Sequence, residues 1–181
     1  MNYRTLLILL MVFTAAVCAQ PVLTEKTAPA SPVDLKPDND SIPHAYAING
    51  QFERVVVIRM KHQTDILAGL ESIVKREKIA NAAILSAIGS VTDYQIHSVG
   101  NRSFPTSNIF LKDTTSSADI INLNGYIIDG RIHAHISLSR ADKAFGGHLE
   151  PGTKVFTFAV ITLGVFQKGM DLGLVDKTNY R

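Results

Sequence analysis

Cysteine is nearly absent from this chain of 181 residues, with Cys18 as its single representative. A lone cysteine forms no disulfide within its own chain, and a zinc site built from several thiolates needs more than one. Cys18 also lies in an N-terminal segment that we expect to be removed by processing. The remaining chain would then have no thiolate nucleophile, no thiolate metal ligand and no redox pair of the Cys-x-x-Cys type.

A large excess of charge of one sign is also lacking. The chain has 18 Lys and Arg residues and 16 Asp and Glu residues, so its formal net charge is +2 with neutral histidines. Loss of Arg4 with the N-terminal segment would leave 17 basic residues against 16 acidic ones. The basic residues form no run in the sequence. Because a nucleic-acid-binding surface needs clustered Lys and Arg, this composition argues against such a role.

The first nineteen residues predict an export signal. Arg4 supplies a short positive region, Leu6 to Ala16 is an apolar run of signal-peptide length, and Val17 and Ala19 fit a cleavage site. The run is too short to span a bilayer comfortably. We therefore expect cleavage after Ala19 and a periplasmic or secreted product with no stable membrane span. The alternatives are a lipoprotein lipidated at Cys18, which Val17 disfavours, and a plain membrane anchor.

Proline divides the rest of the chain. Five of the seven prolines fall within residues 20–50, namely Pro21, Pro29, Pro32, Pro37 and Pro43. Because few apolar residues lie between them, this stretch predicts a flexible linker. A folded domain is expected at residues 51–168, followed by a solvated C-terminal tail at residues 169–181.

The domain region predicts one principal helix and many strands. Thr64 is the expected N-cap of the helix, whose apolar face comprises Ile66, Leu67, Leu70, Ile73 and Val74. Asp129-Gly130 fits a type I′ hairpin turn. Strands are expected at residues 54–60, 82–88, 91–99, 108–112, 118–123, 131–139 and 154–166. One helix packed on a largely antiparallel sheet is an α+β domain.

Three histidines stand out in the stretch RIHAHISLSRADKAFGGHLEPG, residues 131–152. Alternate side chains of a strand point to opposite faces, so His133 and His135 share the face opposite Ile132 and Ala134. A sharp turn at Gly146-Gly147 could return His148 to the same place. Three imidazoles suit zinc or another late first-row metal and leave one coordination position open. Alternatively, this face is simply exposed to solvent or is buried against another subunit.

Other polar residues are candidates for a general base beside such a metal. Glu150 and Asp142 lie closest in sequence, and Asp93, Gln95 and His97 share one face of a predicted strand. Residues of this kind are more often simply polar surface residues, so the catalytic residues stay unassigned. The sequence contains no phosphate-binding glycine loop and no serine nucleophile elbow.

At these residues the chain resembles a known family, the plants-and-prokaryotes-conserved (PPC) domain. The resemblance rests on HAHISLS, FGGHLEPG, VFTFAVITL and the earlier AAILSAIGSVTDYQI, and it runs from about Arg54 to Phe166. It implies a mixed, mainly antiparallel sheet of about seven strands with a packed helix, and a homotrimer. It also implies that His133, His135 and His148 are zinc ligands.

The same resemblance carries a DNA-binding label, since prokaryotic members are often described that way by analogy with plant relatives. Those relatives have a separate AT-hook with an Arg-Gly-Arg core, and no Arg-Gly-Arg occurs in this chain. The expected function is therefore that of an exported, homotrimeric, zinc-binding protein, for which a zinc-dependent hydrolase activity is a further hypothesis. The alternatives are a DNA-binding or protein-interaction module, and histidines that only stabilise the trimer.

Overall fold

The computed structural model of the chain describes residues 20–30 and 43–176. The predicted signal peptide at residues 1–19 lies outside these ranges, as do residues 31–42 and 177–181. Within the described ranges, no helix combines the length and the apolar character needed to cross a membrane.

Residues 20–30 and 43–176 contain eight strands and one α-helix, which confirms a mostly β domain with one principal helix. The strands are β1 (Val22–Thr27), β2 (Phe52–Lys61), β3 (Ala82–Val99), β4 (Ser107–Asp113), β5 (Ala118–Ile128), β6 (Arg131–Ser139), β7 (Ala144–Leu149) and β8 (Lys154–Phe166). The helix α1 spans Ile66–Arg76, and a short 3-10 helix spans Gly173–Asp176. Every strand pairing is antiparallel, so the described sheet is not mixed.

Three differences in strand assignment explain why eight strands replace the predicted seven. The predicted linker contains β1, which pairs with β4, so a linker without regular structure is wrong for residues 22–27. The two strands predicted on either side of Gly89 form the single strand β3. Gly89 has a φ of +141° and lies next to a register shift in the pairing of β3 with β8. The shift interrupts the regular pairing, but β3 continues through it. The predicted turn at Gly146-Gly147 lies inside β7.

Helix α1 begins one residue later than the sequence predicted. Asp65, and not Thr64, is the N-cap, and its Oδ1 accepts a hydrogen bond of 3.0 Å from the backbone N–H of Ala68. Such a cap contributes about 1 kcal/mol. The Oδ2 of Asp65 accepts a second bond, of 2.6 Å, from the backbone N–H of Gly152. The same side chain therefore starts the helix and ties it to the turn between β7 and β8.

The apolar face of α1 packs against the inner side of the sheet. Ile66, Leu70 and Val74 are buried as the helical spacing predicted. Strands β3, β5, β6 and β8 contribute most of the remaining core, whose fully buried large side chains include Tyr94, Leu123, Ile127, Ile136, Leu138, Ile161 and Leu163. Burial of this apolar surface is the main favourable contribution to folding.

The long strand β3 is the centre of the topology. Its first half pairs with β5 and β8, and its second half pairs with β4 and β7. Because β5 pairs with β6 and β6 pairs with β7, the pairings β3–β5–β6–β7–β3 form a closed circuit. This closure brings β7 between β6 and the second half of β3, two segments far apart in the sequence.

The end of the domain is more ordered than predicted. Leu172 is only 3% exposed, and the backbone carbonyl of Met170 accepts a hydrogen bond of 2.9 Å from Nδ2 of Asn81. A solvated tail beginning at residue 169 is therefore wrong for these positions. The hairpin prediction at Asp129-Gly130 is confirmed, because both residues have positive φ values, 51° and 75°, as a type I′ turn requires.

Candidate metal centre

Strand β6 presents two histidines on its exposed face. Ala134, Ile136 and Leu138 alternate with them and are at most 2% exposed, whereas His133 and His135 are exposed. The alternation read from the sequence is therefore confirmed. Its physical cause is the two-residue period of a strand, one face of which packs on the core.

The glycines of β7 bring His148 to the same place by a route that the sequence did not predict. A Cβ atom on Gly146 would overlap the backbone carbonyl oxygen of Ile136 on β6. A Cβ atom on Gly147 would overlap the carbonyl oxygen of His97 on β3. Glycine is required because β7 lies between two strands at close approach. A turn at these residues is therefore wrong.

Register then places three histidines in one row across three strands. His148 is the direct partner of His135 on β6 and of His97 on β3. Directly opposed residues of antiparallel strands carry their side chains on the same face, with Cβ atoms about 4.5–5.5 Å apart. His133 lies two residues along β6 on the same face. The exposed face therefore carries four imidazoles next to one another.

The three predicted ligands have the geometry of a metal-binding group. One potential ligand atom from each of His133, His135 and His148 lies within 4.8 Å of the other two. The Nε2 atoms of His133 and His135 are 3.3 Å apart. Two nitrogen ligands at zinc-bond lengths of about 2.0–2.1 Å in a tetrahedral arrangement are about 3.3–3.4 Å apart. The donor set therefore fits zinc.

Burial keeps two of these imidazoles in the neutral form that binds metal. Burial is the largest cause that lowers the pKa of His148, to about 4, and repulsion from His97, His133 and His135 lowers it further. Glu150 opposes this shift. Burial is also the largest cause that lowers the pKa of His135. A neutral imidazole has a free lone pair, so protons compete little with a metal for these two side chains near pH 7.

In the metal-free chain, we expect the imidazole of His148 to titrate with a midpoint near pH 4. The imidazole of an ordinary histidine has a pKa of about 6.5. Because the folded state binds this proton more weakly than the unfolded state, the stability that His148 contributes is complete above about pH 6.5 and is lost as the pH falls toward 4. The measurement is an NMR pH titration of the ring C–H signals. A midpoint at or above about 6 would contradict the burial argument.

A second group of side chains adjoins the first and shares His148 with it. The Nδ1 of His97 and the Oε1 of Glu150 are 2.6 Å apart, and the ring of His97 stacks on that of His148 with centroids 4.5 Å apart. The ring of Phe110 on β4 lies against His97, at 4.9 Å between centroids. One potential ligand atom from each of His97, His148 and Glu150 also lies within 4.8 Å of the other two.

The other three polar candidates contribute no side chain to either histidine group. Asp93 pairs with Lys154 at 3.5 Å, and Asp142 is exposed in the turn between β6 and β7. The backbone carbonyl of Gln95 accepts hydrogen bonds from the N–H of Glu150 and the hydroxyl of Thr153, both at 3.0 Å. Of the five residues named from the sequence, the structure therefore brings only two side chains, those of His97 and Glu150, next to His148.

Comparison with protein families identifies the domain. The family model of the Plants and Prokaryotes Conserved (PCC) domain matches residues 47–167. The chain belongs to this family. This match confirms the resemblance to the plants-and-prokaryotes-conserved (PPC) domain, which is the same family. The matched region includes β2 to β8, with both histidine groups. What the family model does not reach is β1, so this strand is an addition outside the matched domain.

Solved structures with the same fold come from several microorganisms. A PPC protein from Pyrococcus horikoshii is 25% identical, with a TM-score of 0.56 over 70% of this chain and 87% of that one. A metal-containing protein from Archaeoglobus fulgidus is 22% identical, with a TM-score of 0.56 over 67% and 86%. A protein from Bacteroides thetaiotaomicron with a provisional DNA-binding label is 18% identical, with a TM-score of 0.53 over 68% and 85%.

A similar curated protein is much longer than this chain. This PCC-domain protein is 26% identical over 111 residues to the Bifunctional protein GlmU of Synechococcus sp. (strain JA-3-3Ab). The match covers 61% of this chain and only 17% of the relative's length. The likeness therefore concerns one portion of that larger protein.

Proposed function

We propose that this PCC-domain protein binds a divalent transition metal, with zinc as the favoured ion, through His133, His135 and His148. The observation that carries the proposal is the convergence of three imidazoles from two paired strands, with two nitrogen atoms at the separation that zinc ligands require. Lowered pKa values for His135 and His148 add support, because both side chains are neutral near pH 7. The metal-containing fold neighbour from Archaeoglobus fulgidus is consistent with it.

The chemistry of the site follows from its ligand number. Closed structural zinc sites have four protein ligands, whereas catalytic sites have three and keep one position open. Zinc held in this way supplies Lewis-acid chemistry at the open position. Glu150 and His97 lie beside His148 and are the candidate general bases for such chemistry. A hydrolase activity is the enzymatic extension of the proposal, and a screen of esters, phosphoesters, amides and lactones without histidine-dependent turnover would contradict it.

A homotrimer is part of the proposal, supported by exposed apolar residues on the face of the sheet that carries the histidines. Directly paired residues form one row across five strands, running from Val55 through Gly164, Ala83 and Tyr126 to His133. Val55, Val57 and Ile88 on this side of the sheet are 59%, 66% and 59% exposed. Large exposed apolar patches mark interaction surfaces. Sedimentation equilibrium should give a trimer, and a monomer at micromolar concentration would contradict this part.

Export to the periplasm or the medium also belongs to the proposal. Its support is the charged, apolar and small-residue pattern of the first nineteen residues. N-terminal sequencing of the protein from the producing cell should begin at Gln20. A chain that begins at Met1, or one that begins at a lipidated Cys18, would contradict cleavage after Ala19 and would indicate a membrane anchor.

Elemental analysis tests the metal proposal. We expect close to one zinc or related ion per chain for protein produced without a histidine tag from its full-length gene. The variant with His133, His135 and His148 all changed to alanine should lose that ion. His44→Ala is the matched control, because His44 is an exposed histidine near the start of the domain. Equal metal content in the triple variant and the control would contradict the proposal.

DNA binding is the alternative that the family label suggests. The near-neutral charge and the missing Arg-Gly-Arg core both weigh against it. Salt-dependent binding of the protein to duplex DNA would favour this alternative, and no binding at low salt would exclude it.

A further inference from the structure

We propose a second divalent-cation site in this protein, formed by His97, His148 and Glu150. It lies beside the three-histidine group and shares only His148 with it. The proposal begins with the convergence already described: two imidazoles and one carboxylate bring one potential ligand atom each within 4.8 Å of the others.

The closest of these contacts joins the imidazole of His97 to the carboxylate of Glu150. The Nδ1 of His97 and Oε1 of Glu150 are 2.6 Å apart, the distance of a strong N–H···O bond. Two ligands of one first-row ion are about 3.3–3.4 Å apart at zinc-like bond lengths. A small rotation of the two side chains would open this distance. A cation bound between the same two atoms would then replace their hydrogen bond.

The backbone around these ligands is fixed by strand pairing and hydrogen bonds. His97 and His148 are direct register partners, so their separation is set by the β3–β7 pairing. The backbone N–H of Glu150 donates to the carbonyl of Gln95 at 3.0 Å, and its carbonyl accepts from the Thr153 hydroxyl at 3.2 Å. Ligands on a rigid scaffold lose little freedom when they bind an ion.

The low exposure of this group to water favours the binding of a cation. The side chains of His97 and Glu150 are only 19% and 22% exposed. Phe110 lies against the ring of His97 and His148 stacks on it. Partial exclusion of water strengthens the attraction between a carboxylate and a cation. The site nevertheless keeps one negative charge, which the three-histidine group lacks.

The ligand set also indicates which ions this second site would accept. Three imidazoles suit zinc and copper, whereas carboxylate oxygen is a harder ligand that also suits manganese and ferrous iron. Two histidines with one carboxylate form the set found at mononuclear iron centres and in some zinc hydrolases. We therefore infer a broader preference at this site, one that includes Mn²⁺, than at the three-histidine site.

The test removes the first site and leaves the second. In the His133→Ala/His135→Ala double variant, we expect isothermal titration to show about one Co²⁺ bound per chain, with Mn²⁺ also detected by electron paramagnetic resonance. Adding Glu150→Gln, which keeps the size of the side chain, should lower the Co²⁺ affinity at least tenfold and abolish Mn²⁺ binding. Asp142→Asn is the matched control, since Asp142 is an exposed carboxylate eight residues earlier. Circular dichroism melting curves check that each variant is folded.

The outcomes separate the two sites. Failure of the double variant to bind Co²⁺, or equal binding with and without Glu150→Gln, would overturn the second site. The His97→Gln/Glu150→Gln variant reports on the first site alone. If that variant binds no metal while the His133→Ala/His135→Ala variant does, the three-histidine proposal fails and the second site stands.

Discussion

Replacement of His148 by alanine is expected to lower the affinity of the chain for Zn²⁺ by roughly a hundredfold or more. Loss of an outer-shell partner of a metal ligand already costs about 10–100-fold, and His148 is a ligand in the proposed three-histidine site. It also belongs to the second group, and among the described residues no other side chain belongs to both groups. A competition titration with a zinc-binding dye measures the affinity directly.

The fold should tolerate this substitution, which makes the result interpretable. His148 is partly exposed, its neighbours His97 and His135 are on the surface side of the sheet, and alanine keeps the backbone hydrogen bonds of β7. His62→Ala is a suitable control, since His62 is an exposed histidine of the same domain outside both groups. A His148→Ala variant that binds Zn²⁺ as tightly as this control would remove His148 from the metal centre.

Gly147→Ala is expected to destabilise the metal-free domain by about 1–3 kcal/mol, the usual cost of overpacking. The added Cβ would overlap the carbonyl oxygen of His97, which is backbone and cannot move without shifting β3. Displacement of β7 would also move His148 away from His133 and His135. We therefore expect lower Zn²⁺ affinity together with a lower urea midpoint, although no ligand side chain has been changed.

Gly173→Ala separates crowding at the site from a general effect of replacing glycine. A Cβ on Gly173 would approach only the carboxylate of Asp171, the far end of a flexible side chain whose Oδ1 accepts a hydrogen bond of 2.7 Å from the backbone N–H of Gly173. Its urea midpoint should stay within the range of ordinary surface substitutions, about 0.5 kcal/mol. Equal stability of Gly147→Ala and Gly173→Ala would mean that β7 does not approach β3 as closely as described.

The parts of the site that depend on local pattern could be predicted from the sequence. The period of two in β6 identified which face carries His133 and His135, and the apolar spacing of α1 identified its buried side. Both follow from side-chain directions within one element. The chemistry of three imidazoles was likewise readable, because it depends on residue type.

The parts that depend on pairing between distant segments could not be predicted. Gly146-Gly147 has the local signature of a turn, and only the closed circuit of strands makes it the middle of β7. The same circuit joins His97 to His148 and Glu150, which are about fifty residues away in the sequence. Register is set by the whole sheet, so neither contact has a local signal.

Strand β1 was missed for a different reason. All six of its residues are exposed, so it has no buried face and no alternation of apolar and polar side chains. What holds it is backbone pairing with the edge strand β4, from Val22 opposite Lys112 to Thr27 opposite Ser107. Pairing of this kind covers an open sheet edge but leaves little trace in composition.

Anomalous diffraction at the zinc absorption edge tests the central claim most directly. Crystals of the untagged chain would be grown with Zn²⁺ and measured above and below the edge. The account predicts an anomalous peak at about 2.0–2.1 Å from one imidazole nitrogen each of His133, His135 and His148. Ordered rings of these three residues with no peak between them, in crystals that contain zinc elsewhere, would contradict it.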